Sequence, residues 1–247
     1  MITLKGRTCL FSGATGNIGR GAVRAMAEGG MNVVMMTHNP GPAKELMEEM
    51  KDCPGKVIAC SNNAEPGKVY QDILDQFGSI DVFISTTGGM EKNKPFEEIT
   101  PEEMNGKLNH QVTSMMKNLQ EVLPYLKKSQ NPRVILCTSA GALDGYPGES
   151  ILDSIARGGV ISMTYCLARE FAKDKITVNC IARGGLVNDH APDKPTDYDV
   201  ASIAGEIPVG HVGTTEEFGA LVSYIASEEA AFVTGHVFNF TGGLCIG

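Results

Sequence analysis

Seven short runs of apolar and β-branched residues alternate along the chain with stretches of helical character, and this alternation restricts the fold more than any other feature. Strands separated by helices predict a parallel sheet, because two parallel strands need a crossover connection between them. Helices on both faces of a seven-stranded parallel sheet make a doubly wound Rossmann fold of the α/β class. The predicted strands are Thr8–Ser12, Met31–Thr37, Val57–Cys60, Asp81–Ser85, Arg133–Thr138, Thr177–Ala182 and His236–Phe240. The predicted helices are Ile18–Gly29, Pro42–Lys51, Lys68–Phe77, Pro101–Lys127, Ser150–Lys173 and Thr215–Ser227.

No repeat, low-complexity stretch or long polar linker divides the 247 residues, so we expect a single domain over residues 1–247. The segment 187–209 breaks the alternation after the sixth strand and is rich in Pro and Asp. Ligands of this fold class bind at the carboxyl ends of the strands. The segment is therefore either a lid over the substrate pocket or a plain surface loop.

Charge and composition exclude several classes of partner. The net charge of −8 provides no basic field for a phosphate backbone, so we expect no nucleic-acid partner. No apolar run is long enough to span a bilayer and the first residues do not resemble a signal peptide, so we expect a cytoplasmic protein without membrane contact. The seven cysteines form no CxxC pair and are interpreted as buried free thiols, and no residue cluster predicts a metal site.

Three glycines recur every third residue at the turn between the first strand and the first helix. Glycine permits a tight turn there, so a pyrophosphate can approach the amides and the positive dipole end of the helix. Such glycines can also serve packing alone, but their place at the start of this strand pattern favours a phosphate site. The expected cofactor-binding residues of this turn are Gly13, Thr15, Gly16, Asn17, Ile18 and Gly19.

The end of the second strand reads Thr37, His38, Asn39, without the carboxylate that holds a ribose 2′-hydroxyl in NAD-selective proteins. His38 and Asn39 can donate hydrogen bonds to a 2′-phosphate, which favours NADP(H) over NAD(H). The alternative is that His38 is an ordinary exposed loop residue.

Longer motifs resemble the short-chain dehydrogenase/reductase family from Lys5 to Gly243. FGSIDVFISTTGG (77–89) is similar to its fourth strand, VILCTSAGALDGYPG (134–148) to its fifth strand and active-site loop, and ITVNCIARGG (176–185) to its sixth strand. The segment 210–243, which ends in TG…GG, is similar to the closing helix and strand. The resemblance implies a nicotinamide-dependent oxidoreductase with a small-molecule substrate, assembled as a homodimer or homotetramer through the helices near 101–127 and 150–173.

The resemblance also implies further cofactor contacts, although several positions depart from the family pattern. Asn17 stands where the family usually has a glycine, Ser85 and Thr86 replace an asparagine pair, and Arg183 replaces a proline. Asn62 stands where many members carry an aspartate that contacts adenine. The implied contacts are Asn62, Asn63, Thr86, Thr87, Gly88, Arg157, Gly184 and Leu186.

The positions of the family's catalytic tyrosine and lysine are occupied by Asp153 and Arg157. Ser139 matches the family serine, and Gln111 falls where an asparagine is expected, with Asn109 as the alternative if the helix is offset. A phenol is protonated at neutral pH and can donate a proton, whereas an ionised aspartate has none to give.

Two interpretations of the substituted pair stay open. Asp153 and Arg157 form either a structural i,i+4 ion pair or a working pair, in which Arg157 holds the ribose or an anionic substrate and Asp153 orients a water. Tyr146 and His190 are candidate replacement acids, or incidental loop residues. The expected catalytic set is Gln111, Ser139, Tyr146, Asp153 and Arg157.

Three classes of function are compatible with this sequence. The leading one is hydride transfer to or from a carbonyl/alcohol or an activated C=C bond, since dienoyl-thioester reductases of the same superfamily also lack the tyrosine. The second is a catalytically inactive nucleotide-binding or partner subunit. The third is a non-redox lyase or isomerase that uses Asp153 as a base.

Overall fold

A seven-stranded parallel sheet forms the centre of the computed structural model, which describes residues 2–61, 65–89, 93–145, 150–186 and 204–246. The strands lie in the order β3-β2-β1-β4-β5-β6-β7. Each predicted strand is confirmed, and no end differs by more than one residue. The strands are β1 Thr8–Ser12, β2 Asn32–Thr37, β3 Val57–Ser61, β4 Val82–Ser85, β5 Arg133–Ser139, β6 Thr177–Arg183 and β7 Val237–Phe240.

Helices cover both faces of the sheet. They are α1 Asn17–Glu28, α2 Pro40–Glu49, α3 Pro66–Phe77, α4 Pro101–Leu108, α5 Ser114–Leu126, α6 Gly141–Asp144, α7 Ile151–Phe171 and α8 Thr215–Ala226. The single helix predicted over Pro101–Lys127 is wrong in one respect, because a π-helical turn at Asn109–Thr113 separates α4 from α5. The short helix α6 was not predicted. Among the described residues, no helix is both long and apolar enough to cross a membrane.

The central strands are buried on both faces, which explains their continuous apolar sequences. In β1, Cys9 and Phe11 face one core and Leu10 faces the other, because successive side chains of a strand point to opposite sides. The first core lies under α1, α2 and α8, and the second lies under α3, α5 and α7.

The cysteines differ in exposure, so the prediction of buried thiols holds only in part. All seven are free, and four are buried, but Cys166 is exposed on α7. Burial raises the pKa of the Cys137 thiol to about 12 and that of Cys60 to about 11. These two thiols therefore stay protonated and poorly nucleophilic at neutral pH.

Strand order sets the position of the binding crevice. β1 pairs with β2 on one side and with β4 on the other, so the chain leaves β1 in one direction and later returns to its opposite side. The loops after β1 and β4 therefore diverge at the carboxyl edge of the sheet, and ligands of this fold class bind in the crevice between them.

The opposite, amino edge of the sheet is held by buried arginines. Arg133 donates hydrogen bonds from Nε to the Ser227 carbonyl at 3.0 Å and from Nη2 to the Glu228 carbonyl at 3.3 Å, and Arg7 donates to the Ala226 carbonyl. Burial lowers the pKa of Arg133 to about 10, which leaves it charged at neutral pH. Both arginines therefore cap the carbonyl end of α8.

Helices α1 and α8 pack at a distance that only glycine permits. A Cβ atom at Gly21 would lie 2.5 Å from both the Cβ and the carbonyl oxygen of Thr215. A Cβ atom at Gly219 would lie 2.7 Å from the Gly21 carbonyl oxygen. Backbone atoms are among the nearest neighbours at both positions, and they cannot move aside as a flexible side chain can.

We predict that Gly21→Ala lowers the free energy of unfolding by about 2 kcal/mol, because the added methyl group overpacks this contact. The control is Gly67→Ala in α3, where a Cβ atom meets nothing within 4 Å. Urea unfolding followed by far-UV circular dichroism measures both variants. Equal stability of the two would show that α1 and α8 can separate at no cost.

Candidate functional site

The glycine turn after β1 forms a cradle for a phosphate group. Gly13 has a φ of +88°, and a Cβ atom there would lie 2.6 Å from Thr86 Oγ1. A Cβ atom at Gly19 would lie 2.3 Å from the Gly13 carbonyl oxygen, so α1 packs directly on the turn. Both positions therefore require glycine for a reason visible in the fold.

The N-terminus of α1 presents a positive dipole end to the crevice. The helix begins at Asn17, its N-cap is Gly16, and its first turn contains no acidic residue. Gly16 has no side chain with which to cap the first amides. Thr15, Asn17 and Ile18 lie half-buried along the same turn. This end of the helix fits the pyrophosphate of a dinucleotide.

At the end of β2, the two residues expected near a 2′-phosphate are both exposed. Asn39 Oδ1 accepts a hydrogen bond from the Gly41 amide at 3.1 Å and thereby caps α2. Only the Asn39 amide nitrogen is thus suited to a phosphate, together with the ring of His38. Sequence reasoning missed the capping role, although the pair of Asn39 and Pro40 at the start of the helix indicates it.

Hydroxyl groups connect the loop after β4 to the glycine turn. Thr86 Oγ1 donates to the Gly13 carbonyl at 3.1 Å, and the Thr87 hydroxyl lies 2.9 Å from the Ser12 hydroxyl. The two loops that border the crevice are therefore fixed to each other. Gly88, two residues after Thr86, lies beside the Gln111 side chain.

A buried cluster of three charged side chains lies beyond this loop. Lys107 Nζ is 2.5 Å from Asp153 Oδ1, and Arg157 Nη2 is 3.7 Å from the same oxygen. Lys107 Nζ and Arg157 Nη2 also donate to the Gly89 carbonyl at 2.8 and 3.2 Å. Lys107, Asp153 and Arg157 are 4%, 1% and 5% exposed. The cluster joins α4, α7 and the β4 loop.

Lys107 is the residue of this cluster that sequence reasoning missed. The expected partner of Asp153 was Arg157, four residues later on the same helix, but the Lys107 contact is the shorter by more than 1 Å. Nothing in the local sequence of α4 marks a buried lysine. The available signal is the spacing of Lys107 and Gln111, because residues four apart lie on one face of a helix.

Gln111 lies in the π-helical turn and is 2% exposed. A Cβ atom at Gly88 would lie 3.4 Å from Gln111 Nε2, so the amide group faces the loop after β4. Within the described ranges, Gln111 Oε1 is buried without a hydrogen-bond partner. The alternative residue, Asn109, is exposed. The structure therefore brings Gln111, and not Asn109, to the site.

The remaining site residues lie at the carboxyl ends of β5 and β6. Ser139 is the last residue of β5 and is 3% exposed, and the preceding Thr138 hydroxyl donates to the Arg157 carbonyl at 2.9 Å. Gly184 follows β6 against Thr241, where a Cβ atom would lie 3.1 Å from Cα. Leu186 is buried two residues further along.

Several predicted residues lie outside the described part of the chain. They are Asn62, Asn63, Tyr146, His190 and the segment 187–203 of the expected lid. The end of that segment is described: Val209 donates a backbone hydrogen bond to the Gly242 carbonyl at 3.1 Å, and Ile207 is buried. Residues 207–209 are therefore attached to the turn after β7.

We predict that Asp153→Asn lowers the free energy of unfolding by about 3–5 kcal/mol, because Lys107 and Arg157 lose the buried carboxylate between them. The control is Asp174→Asn, which breaks an ion pair with Lys127 at 2.9 Å whose side chains are 27% and 43% exposed. That partly exposed pair contributes about 1 kcal/mol or less. Denaturant unfolding of both variants gives the comparison, and equal losses would contradict a charged cluster.

Comparison with known protein families gives a match over nearly the whole chain. Residues 13–245 match the family model described as enoyl-(acyl carrier protein) reductase. The chain is 27% identical to a 3-oxoacyl-[acyl-carrier-protein] reductase of Thermotoga maritima, across 98% of this chain and 99% of that protein. It is 29% identical to nodulation protein G of a Rhizobium species, across the full length of both.

A fungal relative and solved structures extend this comparison. A hydroxynaphthalene reductase of Aspergillus fumigatus is 29% identical, across 96% of this chain and 92% of that protein. A short-chain dehydrogenase/reductase from Serratia marcescens superposes with a TM-score of 0.85 at 21% identity, and covers 98% of this chain and 99% of its own. At that identity the structural match supports the fold alone.

Proposed function

Because the chain belongs to the short-chain dehydrogenase/reductase family of oxidoreductases, we propose that it is an NADP(H)-dependent reductase of a small-molecule substrate. The substrate carries a carbonyl group or an activated C=C bond. For a carbonyl substrate, the reverse reaction is the oxidation of an alcohol. The mechanism differs from the usual one because an aspartate stands at the tyrosine position.

The crevice between the β1 and β4 loops is the observation that carries this proposal. The cradle at Gly13 and Gly19 and the open amino end of α1 suit a pyrophosphate. Thr86 and Thr87 hold the second loop against the first. A reduced nicotinamide nucleotide bound there would supply the hydride.

The preference for NADP(H) is supported by the residues at the end of β2 and directly after it. Thr37, His38 and Asn39 contain no carboxylate to repel a 2′-phosphate. The exposed side chains of His38 and Asn39 can donate hydrogen bonds to that phosphate. Asn62 and Asn63 are further proposed contacts on the adenosine side.

Reduction is the direction that we favour. The 3-oxoacyl-[acyl-carrier-protein] and hydroxynaphthalene relatives are both named reductases. Ser139 lies at the carboxyl end of β5, where its hydroxyl can donate a hydrogen bond to a substrate oxygen and stabilise the negative charge that hydride addition creates. The close contact of Asp153 with Lys107 disfavours a lyase or isomerase in which Asp153 acts as a base.

We also propose that the protein is a cytoplasmic homodimer or homotetramer. Large apolar side chains are exposed on α5 and α7, namely Met116, Ile151, Ile155 and Tyr165, and they suit burial against a second copy. The seven free cysteines fit a reducing compartment.

Titration with NADPH and, separately, NADH tests the proposed function. The chain has no tryptophan, so nicotinamide fluorescence can be followed without interference. We expect tighter binding of NADPH, and we expect Gly19→Ala to weaken it at least about tenfold, which is 1.4 kcal/mol. Gly67→Ala serves as the control, and circular dichroism reports whether each variant folds. Absence of binding for both nucleotides would contradict the proposal, and binding without turnover of any substrate would favour an inactive nucleotide-binding subunit.

A further inference from the structure

We propose that Lys107 is the proton donor of this site and that Asp153 is the residue that positions it. The inference rests on the proposed reductase function. It assigns the missing role of the tyrosine to a residue on a different helix, α4.

The first support is the position of the Lys107 ammonium group. Its Nζ atom lies 2.5 Å from Asp153 Oδ1, at the end of the side chain that replaces the tyrosine. An ammonium group carries three donor hydrogens, whereas an ionised carboxylate only accepts hydrogen bonds. The proton lost with the tyrosine is thus present again within hydrogen-bond distance of its replacement.

The second support is that α4 and the π-helical turn after it present two polar side chains to the loop after β4. Lys107 donates to the Gly89 carbonyl at 2.8 Å, and Gln111, four residues later, lies beside Gly88. The oxygen of the Gln111 amide is buried without a partner among the described residues. An acceptor that has lost its contact with water and has no protein partner is suited to a hydrogen bond from a ligand.

The chemistry of the two cations gives the third support. Lys107 and Arg157 both contact the Asp153 carboxylate, and Lys107 is the closer of the two. A cation in a buried site stabilises an oxyanion that forms during reaction. Arg157 cannot release a proton in a protein, so Lys107 is the cation of the pair that can.

The proton balance of carbonyl reduction follows from these roles. A reduced nicotinamide nucleotide bound in the crevice would supply the hydride for the new C–H bond of the substrate carbon, and the electron pair of the C=O π bond would move to oxygen. A Nζ–H bond of Lys107 breaks and an O–H bond forms on the substrate, which leaves Lys107 as a neutral amine. Lys107 then takes a proton from water, and Asp153 keeps its charge throughout.

The decisive variants are Lys107→Met and Lys107→Arg. We expect both to lose about 10²–10⁴-fold in kcat, the usual contribution of a positioned acid, while the Kd for NADPH changes by less than about threefold. Arginine retains the charge and the donors but not a transferable proton, so a purely structural lysine would be rescued by it. The control is Lys127→Met, which removes an exposed lysine from outside the site. If Lys107→Met does not fold, Lys107→Gln replaces it and keeps a donor for the Gly89 carbonyl.

A measurement without turnover accompanies the kinetics. In protein labelled with ¹³C at lysine Cε, the Lys107 NMR signal is identified by its absence from Lys107→Met. We expect this signal to move when NADP⁺ is added, and to move again in Asp153→Asn, because both changes alter the surroundings of the ammonium group. A Lys107 signal that is unaffected by NADP⁺ would place the ammonium away from the reacting atoms and overturn the inference.

The outcomes separate the inference from the function on which it rests. A wild-type protein that binds neither NADPH nor NADH contradicts the proposed function. A wild-type protein that binds nucleotide and reduces a substrate, with kcat retained in Lys107→Met or restored in Lys107→Arg, contradicts only the role of Lys107. If nucleotide binds but no substrate is found, the NMR measurement decides.

Discussion

The pairing of β1 with β2 on one side and β4 on the other is the constraint on which the site depends. Two loops that leave neighbouring strands and diverge form a crevice through the path of the backbone, independently of the side chains. The glycine turn, the threonine loop and the N-terminus of α1 all take their positions from it. Strand order therefore fixes where the site lies, and the side chains along the crevice determine its chemistry.

The charged cluster shows how the same scaffold tolerates a changed set of reactive groups. A buried carboxylate would be costly by itself, and so would a buried ammonium group. Lys107 and Asp153 compensate each other at 2.5 Å, and the Gly89 carbonyl accepts further donors from the cluster. The three side chains therefore form one unit, and the properties of one residue depend on the other two.

The fold could be predicted from the sequence because its signal is local. Buried parallel strands are continuous apolar runs, and glycines mark the first turn, so every strand was located. Lys107 could not be predicted in the same way, because its burial depends on where α4 packs against α7. The π-helical turn that divides the long helix likewise leaves no clear local pattern. The capping role of Asn39 lies between these cases, because the Asn-Pro pair is a local signal for it but the sequence analysis assigned Asn39 only to a 2′-phosphate.

The contact between Lys107 and Asp153 also links the chemistry of the site to the packing of two helices. Lys107 lies on α4 and Asp153 on α7, so a shift of one helix along the other would change the 2.5 Å distance between their charged groups. Both Lys107 and Arg157 also donate to the Gly89 carbonyl, which extends this linkage to the loop after β4. A partner that binds against either helix would therefore act on the reactive groups without touching them.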